Sequence, residues 1–271
     1  MVHTNVITEF ADFATFDYHT LYPNNDFFDF FAQPWVPFVL VALYLVLSKP
    51  VINLLISLLG IKPDSKVLKA GVICHSAFLA IYSGWTFYNV AVILFKFYTE
   101  NGGLYGTLCG GKQALWVESN MTFWITHFYI SKFYEFIDTW IVLLKGKTPI
   151  LLQTYHHAGV VICMWLLTVT YSSPVIVLVF LNSFIHTIMY TYYTAAAFGY
   201  SSPLKKYLTQ MQLGQFLIGI GSTVPCFFIQ DCMTPAGSIA LLVLHIYTVI
   251  LIGLFAQFYV ASYKKKPIKK E

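Results

Sequence analysis

Lys132, Glu135, Asp138, His156, His157, Asn182 and His186 fall within three stretches that are otherwise apolar enough to cross a bilayer. Imidazoles and carboxylates move protons, and a neutral imidazole also attacks carbonyl carbon. Such groups are expensive in lipid. A charge at the centre of a spanning helix costs about 2.5–3.5 kcal/mol, so three on one helix cost roughly 8–10 kcal/mol. About twelve Leu, Ile, Val and Phe residues, at about −0.3 to −0.6 kcal/mol each, return only roughly 5 kcal/mol. The polar groups must therefore meet each other, a partner helix or a wet cavity, and a functional site is the default reading of such residues.

Their spacing supports a shared cavity. Glu135 is three residues from Lys132 and from Asp138 and four from Thr139, which keeps the four near one helical face. Gln153 and His156 share a face, with His157 rotated by about 100°. Asn182, His186, Met189, Tyr190 and Tyr193 follow in three- and four-residue steps and read as one cavity wall. Thr209, Gln210, Gln212 and Gln215 offer further lining groups on a sixth stretch. A structural ion network or interhelical hydrogen bonds would give the same local patterns.

The elements that must position these residues are membrane helices. The chain has 271 residues, of which 58% are hydrophobic and 10% charged. Soluble domains carry about 25% charged residues. Seven stretches are long enough to span, near Pro34–Ile56, Leu68–Phe95, Met121–Leu144, Ile150–Tyr171, Pro174–Ala195, Leu204–Ile229 and Ala236–Val260. Pro50 is a candidate for an early end to the first. The expected architecture is an all-α membrane protein with seven transmembrane helices. It divides into an N-terminal segment (1–33), a helical domain (34–260) and a Lys-rich tail (261–271).

All sixteen basic residues are Lys. Thirteen sit on one side of the predicted topology: Lys49, Lys62, Lys66, Lys69, Lys145, Lys147, Lys205, Lys206 and five in the tail. Lys96 and Lys112 lie on the other side, and Lys132 inside the third helix. The bias places the tail in the cytosol and the N-terminus outside it. The net charge of +4 is no nucleic-acid signature, because the lysines sit at membrane edges. With the first 33 residues free of Lys, no secretory leader is expected, and the first span serves as the targeting signal.

This topology aligns the polar residues in depth. Asp138, His156, His186, Gln210 and His75 all fall roughly 9–13 Å inside the cytosolic boundary at about 1.5 Å per residue. One cavity open to the cytosol explains that agreement. Lys145, Lys147, Lys205 and Lys206 ring its mouth, where they are candidates for phosphate contacts; positive-inside bias alone would also place them there. Cys109 and Cys232 share the non-cytosolic side, where an oxidising lumen permits a bridge, two free thiols being the alternative. Asn120-Met121-Thr122 is a formal glycosylation sequon on that side.

The blocks KFYEFIDTWIVLLKGK (132–147), QTYHH (153–157), NSFIHTIMYTYY (182–193) and TQMQ (209–212) resemble, in order and spacing, the ELO family of very-long-chain fatty acid elongases. The tail segment LFAQFYVASYKKK is also similar to that family's C-terminus. Gln153 stands where the family's His-x-x-His-His box has its first His, a variant similar to the box of some elongases of polyunsaturated chains. Gln hydrogen-bonds but takes no proton near neutral pH.

The resemblance implies an acyl tunnel among the last six helices, an endoplasmic reticulum location and condensation of a fatty acyl-CoA with malonyl-CoA. The products are 3-ketoacyl-CoA, CO2 and CoA. No metal or other cofactor is expected, and the other enzymes of the elongation cycle are the expected partners. On this reading His156 attacks the thioester to give an acyl-imidazole. His157 and His186 stabilise the thioester oxygen or the malonyl carboxylate, Asp138 holds an imidazole in its useful tautomer, and Asn182 donates to an oxyanion. Lys132 and Glu135 set the local field. With Thr139, Gln153, Tyr190, Tyr193, Gln210 and Gln212 they form the substrate-binding wall.

Two rivals remain. A membrane di-iron desaturase needs many His ligands, whereas this chain has eight His, two of them (His3, His19) near the N-terminus. A seven-helix receptor or transporter has no need of Lys132, Glu135, Asp138, His156 and His186 at one cytosol-proximal level.

Overall fold

The computed structural model describes residues 26–110, 115–116, 119–200 and 203–263. His3, His19, Lys112 and the lysines of the tail lie outside them. The described residues are helical, with no strand among them. In chain order the helices are α1 (Asp26–Ala32), α2 (Trp35–Leu59), α3 (Lys66–Glu100), α4 (Leu104–Cys109), α5 (Met121–Tyr134), α6 (Phe136–Leu144), α7 (Leu151–Val169), α8 (Val175–Ala197), α9 (Leu204–Thr223) and α10 (Pro235–Tyr263). A short 3-10 turn, Val224–Phe227, follows α9.

Helix ends follow local chemistry. The Ser65 hydroxyl accepts from the Leu68 amide (3.2 Å) at the start of α3. Pro174 and Pro203 immediately precede α8 and α9, and Pro235 opens α10, positions where a missing N–H costs nothing. Gly60 ends α2 in the left-handed conformation (φ 60°), which Gly adopts freely. Pro50 does not end α2, which runs on to Leu59. The sixth expected span is shorter than its apolar stretch: α9 stops at Thr223, just before Pro225.

Four helices, α2, α3, α8 and α10, are long and apolar enough to cross a membrane by themselves. The other expected spans are those carrying the polar load. α7 has 19 residues and includes Gln153–His157. α9 has 20 residues and includes Lys205, Lys206 and three Gln. The third is divided at Glu135 into segments of 14 and 9 residues. There the Asp138 amide bonds to the Glu135 carbonyl (3.0 Å), a three-residue spacing that tightens the chain and re-aims the side chains around it.

The helices form a ring. α3 packs on α8, α8 on α9, α9 on α10, α10 on α7, α7 on α5, and α5 returns to α3. α2 stands outside, against α6 and α7. Its outer face exposes Leu43, Leu45, Val46, Leu54 and Leu58, as a lipid-facing helix should. The chain is thus an all-α membrane protein whose polar residues turn inward.

Cys109 and Cys232 form a disulfide across a sequence separation of 123 residues. It ties α4 to the connection ahead of α10. Closing so long a loop typically adds 2–4 kcal/mol. Cys109→Ser is expected to lower the thermal midpoint of the detergent-solubilised protein by about 4–16 °C. An unchanged midpoint in a thermal fluorescence scan would deny the bridge that role. At the sequon the Thr122 hydroxyl is buried and donates to the Trp116 carbonyl (2.6 Å), so it is sequestered from solvent.

Candidate functional site

The ring encloses a cavity of about 540 Å³ whose lining includes Asp138, Gln153, His156, His157, His186, Tyr190, Tyr193, Thr209 and Gln212, with Lys145 and Lys205 at its mouth. These come from α6, α7, α8 and α9 and, for Lys145, the connection that follows α6. Partial burial and then Lys147 lower the Lys145 ammonium from its ordinary value, a sign of positive charge crowded at this edge. Lys147 and Lys206 are exposed and lie outside the lining. Lys206 is turned about 100° from Lys205 on α9, and Lys147 lies past the end of α6.

At the cavity floor sits a buried network. Lys132 Nζ donates to Glu135 Oε1 (2.6 Å) and to Asn182 Oδ1 (3.2 Å) and lies 3.9 Å above the Phe128 ring. Both Lys132 and Glu135 are almost fully buried, at 1% and 2% exposure. With its oxygen turned to Lys132, the Asn182 amide presents Nδ2 to His186 Nε2 (3.2 Å). That makes Nε2 an acceptor and turns the His186 Nδ1–H toward Glu135 Oε1, 3.5 Å away. Among the described residues, Glu135 Oε2 and His157 Nδ1 have no hydrogen-bond partner. Buried polar atoms of this kind point to a further ligand or water.

A second cluster flanks the first. Asp138 Oδ1 lies 3.0 Å from His75 Nε2, and Asp138 Oδ2 accepts from the Tyr190 hydroxyl (2.7 Å). The imidazole that Asp138 holds is therefore His75 of α3, not one of the box histidines. The depth argument reaches His75; nothing in its sequence neighbourhood marks it as Asp138's partner.

His156 sits where two spaces meet. It lines the open cavity and also a narrow pocket of about 50 Å³, walled by Val160, Leu178, Leu181, Phe216, Ile220 and Leu244 among others. Asn182 faces this second pocket, which runs about 12 Å along α8 and α9 toward Pro174 and Thr223. It is almost wholly apolar, with a His245–Thr223 hydrogen bond (2.8 Å) in its wall. The His156 ring centroid is 5.5 Å from that of His157 and 6.4 Å from that of His186. Its Nδ1 lies 3.0 Å from the hydroxyl of Tyr247 on α10, a residue that no sequence pattern singles out.

Two expected wall residues point elsewhere. Thr139 is hydrogen-bonded to the Tyr44 hydroxyl of α2 (2.8 Å) and faces the outer helix. Gln210 is exposed and donates to Tyr259 (3.0 Å), whereas Gln212 lines the cavity near Met189 Sδ (3.3 Å). Residues 210 and 212 are about 200° apart on a helix, so only one can face inward.

Ligand atoms of Glu135, His156 and His186 lie within 4.8 Å of one another, the only such set at the cavity among the described residues. Lys132 already supplies the cation to that carboxylate, and a divalent ion beside it would meet a like charge.

A ring of helices thus encloses a His-rich polar cavity that meets a narrow apolar pocket at His156. The GNS1/SUR4 family model, ELO, matches residues 29–271. The chain belongs to the ELO family. Among its relatives, fatty acid elongase sre1 of Dictyostelium discoideum is 33% identical, over 76% of this chain and 76% of its own. A second Dictyostelium discoideum protein is 31% identical over 97% of this chain and 93% of its own. Very long chain fatty acid elongase 2 of Mus musculus is 37% identical over 53% of this chain and 50% of its own. The ELO match takes in every cavity residue named above.

Proposed function

We propose that this protein is the condensing enzyme of fatty acid elongation, joining a long-chain acyl-CoA to malonyl-CoA to give 3-ketoacyl-CoA, CO2 and CoA. One observation carries this reading: His156 stands at the junction of a polar cavity and an apolar pocket, with two further imidazoles beside it. A thioester at that junction would have its acyl chain in apolar surroundings and its CoA toward the cavity mouth, where Lys145 and Lys205 face the phosphates. The named activities of the relatives agree.

His156 Nε2 attacks the thioester carbon, the C–S bond breaks, and CoA leaves as a thiolate that takes a proton from solvent. Malonyl-CoA enters and loses CO2. Its enolate carbon attacks the acyl carbon, and the C–N bond electrons return to the imidazole. His157 stabilises the oxygen or the malonyl carboxylate, and Asn182 and Glu135 fix the His186 ring beside it. Lys132 neutralises Glu135. No metal enters the reaction. We place the protein in the endoplasmic reticulum membrane as seven spans (34–260), with residues 1–33 lumenal and 261–271 cytosolic, beside the remaining enzymes of the elongation cycle.

Membranes containing the protein should incorporate radiolabelled malonyl-CoA into lipid in an acyl-CoA-dependent manner. In an elongation-deficient yeast host fed a panel of fatty acids, chains longer by two carbons should accumulate. A host whose lipid profile is unmoved by every acid in the panel would refute the assignment.

A further inference from the structure

We propose that Tyr247 is a positioning residue that keeps the proton of His156 on Nδ1 throughout the reaction, leaving Nε2 as the nucleophilic atom. The inference rests on the assignment of His156 as nucleophile and assigns a role to a residue outside all four sequence blocks.

The geometry fixes the direction of each hydrogen bond. The Tyr247 hydroxyl lies 3.1 Å from the His156 carbonyl oxygen and 3.0 Å from His156 Nδ1. A phenol has one proton, and a carbonyl can only accept. The hydroxyl therefore donates to the carbonyl, and its oxygen is left to accept from Nδ1–H. In that tautomer the lone pair sits on Nε2. The Tyr247 ring is held in place on two sides. It stacks on Tyr155, with centroids 5.3 Å apart and planes 21° apart. It also lies against Gly159: a Cβ there would come within 2.3 Å of Tyr247 Cε2. Tyr247 is 8% exposed.

This arrangement suits both half-reactions without moving the Nδ1 proton. When Nε2 bonds the acyl carbon and the C–S bond breaks, Nδ1 keeps its proton and the product is an acyl-imidazolium. When the enolate carbon bonds the acyl carbon, the C–Nε2 pair returns to nitrogen and the leaving group is neutral imidazole. An unprotonated Nδ1 would instead require imidazolide to leave, a much poorer group. The phenol oxygen also stabilises the positive ring between the two steps.

The test uses the full-length protein in detergent, with palmitoyl-CoA and no malonyl-CoA, following early CoA release with a thiol reagent. Tyr247→Phe keeps the ring and its stacking. It should slow the release by about 10–100-fold while the palmitoyl-CoA dependence shifts by less than about threefold. Gly159→Ala, which pushes the phenol away from α7, should show the same split, and Tyr155→Phe should release CoA at the wild-type rate. A Tyr247→Phe burst within threefold of wild type, with the wild-type acyl group mapped to His156, would overturn the positioning role and leave the nucleophile standing. Parallel losses of rate and substrate affinity with a collapsed thermal midpoint in both variants would also overturn it, by making Tyr247 structural. A wild-type acyl group found away from His156 would remove the reading on which the inference stands.

Discussion

Replacing His156 with Ala should reduce condensation at least about 10^4-fold, the scale on which removal of a catalytic nucleophile acts. The side chain is only partly buried, and Tyr155 beside it keeps its own hydrogen bond to the Tyr247 carbonyl, so the variant should fold. His157→Ala and His186→Ala should fall between it and the wild type, by about 10²–10³-fold, because neither supplies the bond-forming atom. Initial rates with radiolabelled malonyl-CoA measure all three. Retention of a tenth of wild-type activity by His156→Ala would sink the nucleophile assignment.

Lys132→Met should be the most damaging single change to stability. It strands the Glu135 carboxylate inside the ring, where the group is 2% exposed and Lys132 is its closest partner at 2.6 Å. Breaking a buried pair from one side costs about 3–5 kcal/mol. A fall of about 6 °C or more in thermal midpoint follows from that cost. The paired change Lys132→Met with Glu135→Leu should recover much of the midpoint, since an apolar pair of similar volume can replace a buried ion pair. It should not recover activity, because the His186 ring loses the carboxylate toward which its Nδ1–H points. If the double variant were as active as wild type, the network would be scaffolding only.

The grouping of the site residues was legible in the sequence because two simple quantities predict it. Lysine asymmetry orients each helix, and a fixed rise converts residue number into depth. They predict Asp138, His156, His186 and His75 at one level, and the structure brings His156 to His186 and Asp138 to His75. Azimuth was not legible. Glu135, Asp138 and Thr139 look like one face, yet Asp138 and Thr139 diverge by about 100°, and the tightened turn at Glu135 sends one to His75 and the other to Tyr44. Gln210 and Gln212 were both assigned inward although their angular separation forbids it, and Lys147 and Lys206 were drawn to a mouth that their neighbours occupy.

Tyr247 was invisible for another reason. It lies in an apolar helix of a chain with 19 Tyr, and nothing local distinguishes it. The one sequence signal was indirect: Gly159, three residues after His156, marks a place where α7 is closely approached, and the approaching group is the Tyr247 ring. The outer face of α2 was the easiest element to read, since an apolar helix in lipid needs no specific partner.

The proposed condensation requires a covalent link between substrate and one imidazole. Wild-type protein incubated with palmitoyl-CoA alone, then measured intact and after proteolysis by mass spectrometry, should carry one palmitoyl group, on the peptide containing His156, and malonyl-CoA should discharge it. An acyl group on a cysteine, or none at all while condensation proceeds at full rate, would contradict it.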